Sequence, residues 1–296
     1  MNTNFYFAIY NCKISAWKVV MEEWVRYVEN EWSRFRKSNE LDRLNQLKVG
    51  EEMSLSGPLF DVLKQAEAFR KKTRGLFSPY LSLQMQFHGY EQSFPFNTDS
   101  KQYHLHSPVA EIDHSPFLIH SNKQTVLRVA EGQIDLGGIG KGYTVQAAAQ
   151  WLKNIGKSEA GIVDGGGDIT VWSDGTMDWR IGVSHPYHNE KEIAHFNIKN
   201  GGIATSNVIY RSWMQGSIRK HHILNGQTGI PADNGIIQAT VISNNLLEAE
   251  VGAKVSLMVE QALIKTHLQQ LDPTCSYLLV NNQGKILLDN GGPCNE

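Results

Sequence analysis

The sequence predicts an α+β protein in which mixed or antiparallel sheets are flanked by helices. Short apolar runs separated by glycines fill the chain after about residue 115, whereas helical patterns lie before and beside them. Strands and helices that do not alternate regularly are typical of this class. One domain over residues 1–296 is expected, with an alternative subdivision into a helical and loop-rich part (1–114) and a glycine-rich α/β core (115–296).

The first part of the chain contains one predicted strand and two predicted helices. Residues 3–10 have the pattern of a strand, and residues 16–35 repeat apolar side chains at helical spacing. The repeat consists of Trp17, Val20, Trp24, Val28 and Trp32. Such a face is expected to pack into the core. A second helix is predicted over 58–74, with Pro58 in its first turn and Gly75 after its end.

Residues 86–114 are polar, aromatic and irregular, which predicts a loop or a small insertion. Tyr90, His104 and His106 lie in this stretch. Because loops held by a rigid scaffold often carry ligand contacts, we expect this one to form a wall of a ligand cleft.

The second part of the chain is dominated by predicted strands. They are 124–129, 160–164, 168–173, 179–184, 193–198, 220–224, 236–243 and 276–280. Two helices are predicted, over 143–154 and 246–270. The polar stretch 185–192 is expected to be a loop between strands.

Composition limits the classes of function. The formal net charge of −2 gives no electrostatic argument for nucleic-acid binding. No apolar run approaches the length of a membrane span, so no membrane span is expected. The cysteines, Cys12, Cys275 and Cys294, are widely spaced and suit free thiols in a reducing compartment. The N-terminus has no leader pattern, and a cytoplasmic location is expected.

The most informative stretch is Asp135–Tyr143, which reads DLGGIGKGY and runs into the predicted helix 143–154. Glycines let the backbone approach an anion closely, and a helix N-terminus offers unpaired N–H groups. Lys141 adds a positive charge. The spacing fits neither a P-loop nor a dinucleotide fingerprint. The stretch therefore predicts either a phosphate-binding loop or only a tight turn into a helix.

Two further clusters combine glycines with small polar residues. Asp164–Asp168 places three glycines between two carboxylates, which suits either a close approach to a ligand or a glycine-rich hairpin. Ala204–Asn207 follows a glycine pair, and its hydroxyls suit either ligand contacts or a turn or helix cap.

Two adjacent histidines, His221 and His222, lie before the turn signals Asn225-Gly226 and Thr228-Gly229. On a strand they point to opposite faces, so one can face a cleft while the other is buried. They do not readily bind one metal together in that geometry.

Glu250 and Lys254 are four residues apart and so share one face of the predicted helix 246–270. A surface ion pair is the simplest interpretation. The surrounding residues are small and apolar, however, which favours a pair that is buried or lines a cleft.

Taken in order, these clusters resemble the ApbE family, the FAD:protein FMN transferases. Asp135–Tyr143 is similar to the family's DLGGIAKGY, and Val163–Ile169 to its VNxGGDI. Trp179–Val183 resembles WxVGI, and Ala204–Ser206 resembles ATS. The segment His221–Pro231 is similar to HHIxDPxTGxP. Two upstream segments, Glu40–Asn45 and Gly75–Pro79, resemble SELSRLN and GAFDP.

The resemblance implies an ApbE-like, T-fold-like architecture and a specific reaction. Such enzymes bind FAD, cleave its pyrophosphate with Mg²⁺, release AMP and transfer FMN to a threonine or serine hydroxyl of an acceptor protein with an FMN-binding domain. His221 or His222 is implied as the proton acceptor. Cofactor contacts are implied for Asp135, Gly137, Gly138, Lys141, Gly142, Tyr143, Asp164, Gly166, Gly167, Asp168, Thr205 and Ser206, with Tyr90 added from the cleft wall.

The implied metal site contains the main departures from the family. Gly140 matches the position whose carbonyl binds the metal, whereas Glu250 and Lys254 match the family's Asp and Thr ligands. A protonated lysine cannot bind a cation, so the Lys254 ammonium is expected to occupy or replace the metal position. The sequence leaves open whether Mg²⁺ is bound. Two alternatives follow: an FAD-binding protein with little transferase activity, or an FAD pyrophosphatase.

Overall fold

The computed structural model describes residues 3–96 and 115–289. The helices are α1 (Trp17–Glu31), α2 (Glu40–Asn45), α3 (Gly57–Lys72), α4 (Ser82–Phe87), α5 (Gly140–Asn154), α6 (Leu246–Val255) and α7 (Ile264–Leu271). The strands of the first part are β1 (Tyr6–Tyr10), β2 (Glu52–Ser54), β3 (Phe117–His120) and β4 (Thr125–Arg128). Those that follow are β5 (Ala160–Asp164), β6 (Asp168–Trp172), β7 (Trp179–His185), β8 (His188–Ile198), β9 (Gly201–Asn207), β10 (Ser212–Gln215), β11 (Ile218–His221), β12 (Ile236–Ser243), β13 (Ser276–Asn281) and β14 (Ile286–Asp289).

A seven-stranded antiparallel sheet, ordered β1-β5-β6-β9-β12-β13-β14, forms the centre of the fold. Helices α5 and α6 pack on one face, and the β7–β8 hairpin covers the other. Side chains alternate between these layers, because Ile203 joins the core under the hairpin while its neighbour Ala204 joins the core under the helices. The predicted α+β class with antiparallel sheets is confirmed.

The larger core extends across the predicted subdivision of the chain. Met21, Leu59 and Val241 belong to this one buried cluster, although they come from the first part and the second part. The division into one or two domains itself stays a prediction. No helix in residues 3–96 and 115–289 is long and apolar enough to cross a membrane.

Helices α5 and α6 approach each other closely at Gly142. A Cβ at this position would overlap the carboxylate of Glu250. The start of α6 lies equally close to the sheet, since a Cβ at Gly202 would lie 2.5 Å from the Cα of Leu246. Small residues at these two points therefore set the spacing of the elements that carry the site.

The predicted helix 246–270 is wrong as a single element. Helix α6 ends at Val255, and a short 3-10 helix (Gln261–Leu263) leads into α7. Asn234 explains the break, because its side-chain amide donates hydrogen bonds to the carbonyls of Ser256 at 2.9 Å and Val259 at 2.5 Å. These carbonyls would otherwise lack partners at a helix end.

One prediction based on polarity was also wrong, and one of the two alternatives left open for another segment is excluded. The stretch 185–192 is not a loop, because β7 ends at His185 and β8 begins at His188. Its polar residues are exposed on a hairpin, so polarity marked solvent contact and not irregular backbone. Likewise Ala204–Asn207 is neither a turn nor a helix cap, since it belongs to the central strand β9.

The other predicted elements are present, most of them with shifted ends, whereas α2, α4, β2, β3, β9, β10 and β14 were not predicted. Helices 16–35 and 58–74 become α1 and α3, and the helix predicted from 143 begins at Gly140. The predicted irregular stretch 86–114 begins inside α4, and its His104 and His106 lie outside the described residues. Cys12 and Cys275 are free thiols.

Candidate functional site

A cleft of about 400 Å³ lies where the glycine-rich loop before α5 meets four other parts of the chain. These are the segment after α1, the segment that runs from α3 past α4, the loop after β11 and the end of α6. The residues of the sequence-predicted site that line it are Tyr90, Asp135, Gly137, Gly138, Gly140, Lys141, His222 and Lys254. The tertiary structure thus brings together residues from four distant regions of the sequence.

Gly142 and Tyr143 lie in the first turn of α5, next to the cleft, but do not line it. The Gly142 N–H donates to Glu250 Oε2 at 3.2 Å, and the Tyr143 hydroxyl donates to Asp61 Oδ2 at 2.9 Å. Both residues are buried. They hold the loop against α6 and α3. Their observed hydrogen bonds are therefore to other residues of the protein and do not point into the cleft where a cofactor would bind.

Two ion pairs place a lysine in the wall of the cleft and its carboxylate partner in the protein interior. Lys141 pairs with Asp168, which is almost fully buried, and the Lys254 ammonium lies 3.1 Å from Glu250 Oε1. Burial alone would lower the pKa of Lys141, but the charges of Asp168 and Glu250 outweigh it and raise this pKa. Lys141 is therefore protonated at neutral pH and presents a positive charge beside the glycine loop.

Burial acts on the pKa of Glu250 in the opposite direction from its effect on the pKa of Lys141. Removal of its carboxyl group from water raises the pKa of Glu250, although Lys254 and Lys141 act in the other direction. The four charges of Lys141, Asp168, Glu250 and Lys254 consequently depend on one another.

Three of the predicted cofactor residues line a second cavity instead. Gly166, Gly167 and Thr205 line a hollow of about 310 Å³ between the sheet and the β7–β8 hairpin. Asp164 supports this turn by accepting the Gly167 N–H at 2.9 Å, and burial raises the pKa of Asp164. Ser206 is buried in β9. The structure does not bring these residues into the first cleft.

The two histidines have different surroundings. His221 Nε2 lies 3.0 Å from the Ala232 carbonyl, and its Nδ1 accepts the Ile223 N–H at 3.3 Å, so both nitrogens are engaged. His222 lines the cleft, and its Nδ1 lies 3.3 Å from the Arg211 carbonyl. This contact places the proton on Nδ1 and leaves Nε2 as the basic nitrogen.

The pKa of His222 lies well below the ordinary histidine value. Burial is the main cause, and the nearby charges of Arg211 and Lys254 add to it. Burial also lowers the pKa of His221. His222 is therefore a neutral imidazole at neutral pH, in the form that a proton acceptor requires.

The residues present do not fit a divalent cation. Both Glu250 oxygens are already engaged, by the Lys254 ammonium and the Gly142 N–H. The Gly140 carbonyl accepts a hydrogen bond from Thr144 Oγ1 at 2.6 Å. The described parts of the chain contain no group of three or more His, Cys, Asp or Glu side chains that could hold a metal. An ammonium so close to the carboxylate would repel a metal ion there.

Sequence reasoning missed three arginines of the cleft, Arg34, Arg36 and Arg211. Arg34 was placed inside the predicted helix 16–35, but α1 ends at Glu31 and frees the next residues to line the cleft. Arg211 comes between two strands, in a stretch without a recognised motif. An available signal for Arg34 was the polar and basic run after Trp32, which ends the apolar helical repeat.

An α+β fold with a glycine loop, buried cations and a neutral histidine around one cleft defines a protein suited to binding an anionic ligand. The chain belongs to the ApbE family, whose model matches residues 1–279. The prediction from the sequence motifs that the chain is a member of the ApbE family is thereby confirmed.

Known relatives support this assignment. The FAD:protein FMN transferase of Vibrio cholerae is 27% identical over 239 residues, which cover 78% of this chain and 70% of that protein. The protein of the same name from Chlamydia muridarum is 28% identical and covers 76% and 69%. Two solved structures share the fold. They are the ApbE protein of Thermotoga maritima (TM-score 0.79, 22% identity, covering 96% of this chain and 92% of that one) and the flavin transferase ApbE of Vibrio cholerae (TM-score 0.77, 20% identity, covering 98% and 95%).

Proposed function

We propose that this protein is an FAD:protein FMN transferase that acts on an acceptor protein with an FMN-binding domain. One observation carries the proposal: the glycine loop, the Lys141 ammonium and the neutral His222 line the same cleft. The names of its relatives agree with this activity. The cleft would hold FAD, with its pyrophosphate beside the glycine loop.

The proposed reaction is a displacement at phosphorus. The hydroxyl oxygen of the acceptor threonine or serine forms a bond to the phosphorus of the FMN half, and the bond from this phosphorus to the bridging oxygen breaks. AMP leaves with that oxygen. The proton of the attacking hydroxyl passes to His222 Nε2. Phosphoryl transfer depends mainly on positioning and on neutralising the phosphate charge, which are the properties that this cleft offers.

We further propose that Lys254 and Lys141 neutralise the pyrophosphate without a divalent cation. Lys254 is fixed by Glu250 and lines the cleft, and Lys141 is fixed by Asp168. Fixed charges in a water-poor site stabilise developing negative charge without rearranging during the reaction. The activity is then expected to persist in EDTA.

The same ion pair favours a second candidate, an FAD-binding protein with little or no transferase activity. In that case the buried pair of Glu250 and Lys254 would stabilise the fold, and FAD would bind without being cleaved. A pyrophosphatase would differ from both, because water would replace the acceptor hydroxyl.

A cleavage assay tests the three possibilities. Purified protein is incubated with FAD in EDTA or Mg²⁺, with and without an FMN-binding-domain acceptor, and AMP and covalent flavin fluorescence are followed. Acceptor-dependent AMP release with fluorescence on the acceptor supports the transferase. Equal AMP release without the acceptor supports the pyrophosphatase. Binding without AMP release in any condition would sink both enzymatic proposals.

Paired histidine variants test the assignment of the base. His222→Asn is expected to lower the transfer rate by about 10²–10⁴-fold, the usual contribution of a general base. His221→Asn should have a much smaller effect, because both His221 nitrogens bond to the protein backbone. A larger loss from His221→Asn than from His222→Asn would reverse the assignment.

A further inference from the structure

Arg34 is a buried cation whose hydrogen-bonding capacity the protein does not fill. Its side chain is only 8% exposed, and its Nε lies 3.0 Å from Asp135 Oδ2. Within residues 3–96 and 115–289, its buried Nη2 has no hydrogen-bond partner. A guanidinium has five N–H donors, and leaving a buried donor of a charged group unpaired is costly. Because Arg34 also lines the cleft, a bound ligand is the natural source of the missing acceptor.

The guanidinium is held rigidly. Its central carbon lies 4.2 Å from the centre of the Phe35 ring and 4.7 Å from that of Tyr90. These ring contacts and the Asp135 carboxylate restrict it from three directions. The second oxygen of Asp135 accepts the Gly137 N–H at 2.7 Å. Arg34 and the glycine loop are therefore fixed relative to each other through one carboxylate.

The charge of the cleft favours an anionic acceptor. Five cationic side chains line it, against two carboxylates: Arg34, Arg36, Lys141, Arg211 and Lys254 against Glu29 and Asp135. The whole chain has a net charge of −2, so this excess of cations is local. A phosphate oxygen is a strong acceptor for a guanidinium, whereas the neutral carbonyls of a flavin ring are weaker ones.

We propose that Arg34 binds a phosphate oxygen of the dinucleotide pyrophosphate through its Nη2 N–H. Asp135 sets the spacing between this donor and the glycine loop, so that both contact one ligand. The proposal rests on the proposed function only in taking a dinucleotide as the ligand, and it assigns to Arg34 binding and positioning, without a part in proton transfer.

Binding measurements separate the phosphate contact from a flavin contact. ADP-ribose, FAD and riboflavin are titrated calorimetrically in EDTA against the native protein, Arg34→Met and Arg34→Lys. ADP-ribose contains the pyrophosphate without the flavin, and riboflavin contains the flavin without phosphate. Arg26→Met is the matched control, since Arg26 is 72% exposed and pairs with Glu22.

Loss of a charged hydrogen bond predicts that Arg34→Met weakens ADP-ribose and FAD binding about tenfold or more. Riboflavin binding should change less than about twofold, because its ring does not use this donor. Arg34→Lys keeps the charge but cannot serve Asp135 and the phosphate together, and we expect an intermediate loss. If Arg34→Met does not fold, Arg34→Lys is used for the same comparison of ADP-ribose, FAD and riboflavin binding. Arg26→Met should bind all three ligands as the native protein does.

Two results would overturn the proposal: unchanged ADP-ribose binding in both Arg34 variants, or a loss of riboflavin binding as large as that of FAD. Native protein that binds neither ADP-ribose nor FAD would overturn it together with the proposed function. Native protein that binds ADP-ribose but never cleaves FAD would refute the transferase and leave the role of Arg34 intact.

Discussion

Replacing Lys254 by methionine provides a quantitative test of the buried ion pair. The change removes the ammonium that lies 3.1 Å from Glu250 Oε1 and leaves a carboxylate that is 0% exposed. The remaining charge would be costly in this environment, but Glu250 can take up a proton instead. The cost of protonation therefore sets an upper limit on the electrostatic loss of stability.

That limit depends on pH in a defined way. An ordinary glutamate has a pKa of about 4.5, so protonation at pH 7 costs about 1.36 kcal/mol for each of about 2.5 pH units, or about 3.4 kcal/mol. At pH 5 the same calculation leaves about 0.7 kcal/mol. A carboxyl group whose folded pKa is raised loses stability as the pH rises above its unfolded pKa. The pKa of Glu250 is already raised in the native protein, and loss of Lys254 raises it further. Lys254→Met should thus be more destabilising at pH 7 than at pH 5, by at most about 2.7 kcal/mol.

Chemical denaturation at the two pH values measures this difference. Lys265→Met is the control, because Lys265 is 52% exposed and pairs with Asp289 at the surface. It should cost less than about 1 kcal/mol at either pH. The double variant Glu250→Gln, Lys254→Met should recover stability at pH 7, since no charge is left buried. An equal loss at pH 5 and pH 7 for Lys254→Met would refute an ionised Glu250.

Three further outcomes are expected. Gly142→Ala should destabilise the protein by about 1–3 kcal/mol in denaturant melts, because its Cβ would overlap Glu250. Gly57→Ala, with nothing within 4 Å of the added Cβ, should cost little. Asn234→Ala should cost about 1–3 kcal/mol, since carbonyls at the end of α6 lose their donor. The lowered pKa of His222 predicts that the transfer rate shows no acid limb near pH 6.5, and an inflection there would contradict a neutral His222.

Local patterns were sufficient for much of the fold. The glycine loop running into α5, the buried stripe of α1 and the apolar strands β5, β6 and β12 follow from spacing and composition. The patterns failed where a tertiary contact overrode them. Asn234 ends α6 from a distant position, and Gly202 belongs to a strand because it pairs with β6 and β12, where the start of α6 packs closely against it.

The sequence by itself determined the family and the residue types that the cleft requires, because its motifs occur in a fixed order along the chain. It also indicated a buried pair of Glu250 and Lys254, since apolar neighbours on a helix imply burial. Only the tertiary structure decided that His222 lines the cleft and His221 bonds to Ala232. Only the tertiary structure shows that Arg34 forms an ion pair with Asp135. These are contacts between residues far apart in the chain, and their geometry depends on how helices pack on the sheet, which no local pattern records.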